Sequence, residues 1–164
     1  MAVELRFDGI HSAEEVADAY RAIGRFVTSV ADLDAGVSAL LGALTQMHGE
    51  GHELIVHSID FNRKREIIRA VTAFHPTAPL LLEIGKMLDR AEKLMSARHI
   101  AAHGLLHTQS GHFIVSSMNL PAISKYARRK AELLRVSTLD KLAAEADTLT
   151  IRMAEIVSAL RASA

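Results

Sequence analysis

Apolar residues recur at three- and four-residue steps through Val16, Tyr20, Ile23, Phe26, Val27, Val30, Leu33, Val37, Leu40, Leu41, Leu44 and Met47. That period lines one side of a helix and scatters over both faces of a strand. It commits the first part of the chain to one long amphipathic helix whose apolar stripe other elements must cover. Ser12 followed by Glu15 reads as a capping box and sets the helix start. Gly49, Glu50 and Gly51 are expected to end it near residue 48. Residues 1–11 read as a short extended lead-in.

The same period continues downstream. Residues 52–75 read as a second helical segment, bent near Ser58, with Ile67, Ile68, Val71 and Phe74 on its apolar side. His75 to Pro79 reads as a turn, with Pro79 suited to the first turn of a third helix. That helix is expected to run to about Leu106, its stripe being Leu81, Ile84, Leu88, Ala91, Met95, Ala102 and Leu105. Gln109, Ser110 and Gly111 form a hairpin-like break, followed by a strand over His112 to Met118 that Glu132 to Val136 is expected to pair with. Ser137 with Asp140 suggests another capping box. A last helix then turns Leu139, Leu142, Ala146, Leu149, Met153, Ile156, Val157 and Leu160 inward. Hydrophobic residues make up 49% and aromatics 4%, a balance that favours packed helices over sheets. The expected fold is all-α: one domain over residues 1–164, a bundle of four to five helices with a small β-hairpin insertion.

Several function classes drop out. The absence of cysteine removes disulfides, thiolate metal sites and thiol catalysis. With 19 basic and 19 acidic residues the net charge is zero, so no whole-protein basic field attracts nucleic acid. Neither a nucleotide-binding glycine loop nor a GxSxG elbow occurs. The N-terminus carries no signal-peptide pattern, and charges interrupt the apolar runs before a membrane span is reached. A cytoplasmic protein with no membrane contact and no cofactor is expected.

The chemistry concentrates in residues 97–104, Ala-Arg-His-Ile-Ala-Ala-His-Gly. On a helical wheel Arg98 falls within the apolar stripe, with His99 and His103 one turn apart on its flank. A guanidinium cannot shed its charge, so in such a stripe it needs a carboxylate, a bound anion or an open cleft. Asp34, at the edge of the first helix's apolar face, is the expected structural partner if no phosphate is. A metal site is a rival, built from His99, His103 and His107 with His48 and His52, but no HExxH motif or well-placed carboxylate completes it. No metal is expected.

This Arg-x4-His stretch near the end of a long helix resembles the signature of the HEPN superfamily (higher eukaryote and prokaryote nucleotide-binding domains). Arg98, His99 and His103 match its arginine, polar and histidine positions. The local pattern is similar to the RN-x-x-AHG version of bacterial and prophage members, with His99 in place of asparagine. The order of elements over residues 12–161 also follows the family, although only the motif is specific. The resemblance implies a homodimer in which two motif helices line one cleft. It implies a metal-independent endoribonuclease of a toxin or phage-defence type, with RNA as substrate and an antitoxin or other protein as partner. The alternative it leaves open is a non-catalytic, HEPN-like dimeric interaction or nucleic-acid-binding module. In the nuclease reading His103 is the acid/base, Arg98 stabilises the phosphorane-like charge, and His99 assists or positions substrate. Arg63, Lys64, Arg65 and Arg69 are candidates to follow the RNA backbone.

Overall fold

The capping box at the start of the first helix closes in both directions. Ser12 N–H donates to Glu15 Oε2 at 2.8 Å, and Glu15 N–H donates to Ser12 Oγ at 3.1 Å. In the computed structural model, which describes residues 11–46, 54–56, 58–74, 79–116 and 133–162, helix α1 then runs Ala13–Thr45. Gln46, at φ 52°, ends it before the glycines do. Helix α2 (Phe61–Ala73) restarts where a bend was expected, because the Asp60 side chain caps Arg63 N–H at 3.1 Å. Helix α3 spans Pro79–His103 and α4 spans Leu139–Ala162. Strands β1 (Leu105–Gln109), β2 (His112–Ser116) and β3 (Leu133–Arg135) form one antiparallel sheet in the order β1-β2-β3. The chain is therefore all-α with a small β-hairpin directly after the motif helix. Gly49 to Gly51, His48, His52 and the turn at residues 75–78 lie outside the described residues.

Three sequence-based expectations need correction. The third helix stops at His103, short of Leu106, and the following residues alternate: Leu106 and Thr108 are buried, Leu105 and Gln109 exposed. Ala102 and Leu105 are accordingly exposed, and Ile100 with Ala101 takes the inward positions. Ser137 lies inside a 3-10 turn, Val136–Thr138, that leads into α4, and Asp140 pairs with Arg25 instead of closing a cap. Tyr20 stays 48% exposed, while Phe26, Val30, Leu33, Val37 and Leu40 along the same stripe are fully buried.

The described residues fall into two compact units, one within Met1–Thr28 and Met95–Ala143, the other within Ser29–Leu94 and Ala144–Ala164. Helices α1, α3 and α4 each contribute to both. In the first unit Phe26, Ile100, Ile114, Val115 and Leu139 centre the core. In the second, ion pairs connect helices in sequence. Lys64 of α2 meets Asp34 of α1, Arg65 and Arg69 of α2 meet Glu92 and Asp89 of α3, and Arg90 and Glu83 of α3 meet Glu145 and Arg152 of α4. A Cβ at Gly36 of α1 would lie 3.7 Å from Met153 of α4, which closes the circuit. By length and composition α1 is apolar enough to cross a membrane, with mean hydropathy 1.4 over its most apolar window. Within the second unit, the buried side of α1 carries Asp34, paired to Lys64 Nζ at 3.0 Å.

Candidate functional site

The last turns of α3 present the motif because two local rules meet there. The helical period puts Arg98 between the buried residues Leu94 and Ala101, and it turns His99 and His103 outward. Gly104 then ends the helix, its N–H donating to Ile100 O at 2.8 Å, and the chain turns into β1.

His99 and His103 are exposed, and their ring centroids lie 5.0 Å apart with planes tilted by 57°. Arg98 is half-buried, and its Nε–H is shielded from solvent with no acceptor among the described residues. A shielded donor without an acceptor costs roughly 1–3 kcal/mol. Among the described residues Arg98, Arg135 and Arg161 have no ion pair, whereas Arg21, Arg25, Arg63, Arg65, Arg69, Arg90 and Arg152 each have at least one. The structure thus brings the two imidazoles together and gives the adjacent arginine no acceptor for Nε–H among the described residues, a condition that Arg65 Nε shares. Among the described residues, no hydrogen bond joins Arg98 to either ring. No protein-family model, curated protein or solved structure matches this chain.

The remaining expected site residues stand elsewhere. Asp34, expected to pair with Arg98, takes Lys64 instead. Lys64 was expected to follow an RNA backbone, but its side chain is only 2% exposed and is neutralised by that carboxylate. Arg65 is mostly buried and held by Glu92, Arg63 bonds Glu66 at 2.9 Å, and Arg69 is held by Asp89. The basic run of α2 is therefore committed to the protein's own carboxylates. His107 leaves the histidine series, because it lies on β1 with Nδ1 3.2 Å from Leu105 O. Among the described residues no group of three metal-ligating side chains assembles. A cleft of about 390 Å³ in the same unit as the motif is lined by His11, Glu15, Asp18, His112, Phe113 and Asp140, and contains none of the three motif residues. At the motif His99 and His103 are exposed while Arg98 is half-buried.

Gly104 has a role that the sequence reading left unassigned. A Cβ on it would lie 2.5 Å from both Ile100 O and Val115 Cγ1, and 2.6 Å from Ser116 O. Its position between a histidine that ends a helix and an alternating strand was the available signal.

Proposed function

We propose that this chain is a metal-independent endoribonuclease of a toxin or phage-defence type, acting in the cytoplasm as a homodimer with a composite Arg/His cleft. One observation carries the reading: on Arg98 a shielded guanidinium N–H with no acceptor among the described residues, next in sequence to two exposed imidazoles one turn apart at the end of α3. A phosphate oxygen supplies the acceptor that Arg98 lacks. Arginine suits that task because its charge persists and its donors form a planar fork.

In the proposed reaction the ribose 2′-hydroxyl attacks the adjacent phosphorus. One imidazole takes the hydroxyl proton, and an imidazolium gives a proton to the departing 5′-oxygen. The products are a 2′,3′-cyclic phosphate and a 5′-hydroxyl, with no metal or redox partner required. Imidazole serves both transfers because it exchanges protons near neutral pH. His103 is the principal acid/base, and His99 assists or supplies the second proton transfer. Arg98 stabilises the negative charge that builds on the phosphoryl oxygens. Lys64 and Arg65 are turned into the protein while Arg63 and Arg69 stay exposed beside their carboxylates, so contacts near the motif, or a partner protein, carry more of the substrate guidance.

The test is cleavage of RNA by purified protein in EDTA, beside folded Arg98→Ala and His103→Ala variants. Wild-type cleavage that falls about 10²- to 10⁴-fold in each variant supports the assignment. A folded wild type that leaves RNA intact overturns it in favour of a non-catalytic dimeric binding module.

A further inference from the structure

Two histidines four residues apart on a helix share one face and sit one turn above each other. His99 and His103 do so in the last turns of α3, both exposed, with ring centroids 5.0 Å apart. Among the described residues neither ring has a hydrogen bond or an ion pair. Neutral imidazole is a preferred ligand for Zn²⁺, Cu²⁺ and Ni²⁺.

The spacing can be compared with what one ion demands. With a Zn–N bond of about 2.0–2.1 Å, each ring centroid stands roughly 3.2 Å from the metal, and two such rings at a tetrahedral angle have centroids about 5.2 Å apart. The observed 5.0 Å meets that requirement within a few tenths of an ångström. Arg98, the nearest charged side chain in sequence, is half-buried, and among the described residues no hydrogen bond ties it to either ring.

We infer that His99 and His103 form a two-ligand clamp for a borderline divalent transition-metal ion, and that the occupied clamp withdraws both rings from proton transfer. His107 does not extend it, because the helix ends before that residue. Water fills the remaining coordination positions. The second half of the inference rests on the nuclease reading and the first half does not. Metal would then act as an inhibitor at the site where RNA is cut.

Titration of the full chain with ZnCl₂ tests the clamp, followed by calorimetry and by the ring signals of each histidine in NMR spectra. The expected result is joint movement of the His99 and His103 signals. The heat should weaken at least about tenfold in folded His99→Ala and His103→Ala, and persist in His107→Ala and His112→Ala. Unchanged Zn²⁺ affinity in both motif variants, or movement confined to other histidines, overturns the clamp. The inhibitory half is read from cleavage with Zn²⁺ added and then removed by EDTA. Cleavage that is blocked and restored supports it, and an unchanged rate in Zn²⁺-saturated protein overturns it. Zn²⁺ binding at the two rings in a protein that cuts no RNA leaves the clamp standing, while the nuclease reading and the inhibitory half both fall.

Discussion

Gly104 shows how one residue can serve the fold and the site together. The hydrogen atom in place of a side chain lets Val115 and the carbonyls of Ile100 and Ser116 come within reach of its Cα, where a methyl group would meet all three. Two of those obstacles are backbone atoms, which cannot rotate away. Gly104→Ala is expected to lower the unfolding free energy by about 1–3 kcal/mol, as overpacking does. Gly24 offers the contrast inside α1, since nothing lies within 4 Å of a Cβ built there. Gly24→Ala is expected to stabilise the protein by roughly 0.5–1 kcal/mol through helix entropy. Thermal and denaturant unfolding of the two variants measures both, and a loss of stability no greater in Gly104→Ala than in Gly24→Ala would remove the packing argument. Arg98 makes the opposite case, a residue whose local packing is unfavourable without an acceptor for Nε–H.

At the scale of elements, the start of α1 rests on the Ser12–Glu15 exchange. Ser12→Ala is expected to cost about 1 kcal/mol of stability, the usual loss for an N-cap. The backbone N–H of Ser12 is the first cause that holds the Glu15 carboxyl below its ordinary range. A carboxyl lowered in the folded state stabilises above its unfolded value, and that contribution disappears as pH falls through the folded one. Acidification should therefore loosen the N-terminal end of α1, seen as faster amide exchange over its first turn in the wild type. If that exchange is no more sensitive to acid in the wild type than in Glu15→Gln, the pH argument fails. The hairpin is equally local in origin: Ser110 at φ 51° and Gly111 at φ 75° supply the positive angles that a tight two-residue turn between strands uses.

At the scale of the molecule, ion pairs between helices recur among the described residues. In the unit built from Ser29–Leu94 and Ala144–Ala164, carboxylates and cations on successive helices meet repeatedly. Arg152 donates to Glu83 at 2.6 and 3.0 Å and to Glu155 at 2.7 Å. The hydrogen bond from Arg152 is the first cause that holds Glu83 below its ordinary range, and the two carboxylates raise the arginine in turn. The sign follows as for Glu15: the contribution is present at neutral pH and lost as pH falls through the lowered Glu83 value. Both groups are solvent-exposed, so salt should weaken the pair as well. Wild type and Arg152→Gln should differ in denaturant midpoint at neutral pH and low salt, and converge at acid pH or high salt. A difference that persists under those conditions would point to packing of the arginine stem instead of charge.

The existence and order of the helices, the reciprocal cap at Ser12, the hairpin turn and the outward placing of His99 and His103 were legible in the sequence, because each depends on neighbours within about four positions. Which carboxylate meets which cation was not. Asp34 lies 30 positions from Lys64, and both Lys64 and Arg98 carried the charge to satisfy it. The end of α3 was misplaced for a related reason: the close approach at Gly104 involves Val115 and Ser116, residues that reach it only once β2 has paired with β1. Short-range periodicity determined the elements and the residues at their ends. The tertiary structure decided that Lys64 and Arg65 of α2 turn to the protein's own carboxylates and that none of the described carboxylates pairs with Arg98, since pairing between helices follows distance in space.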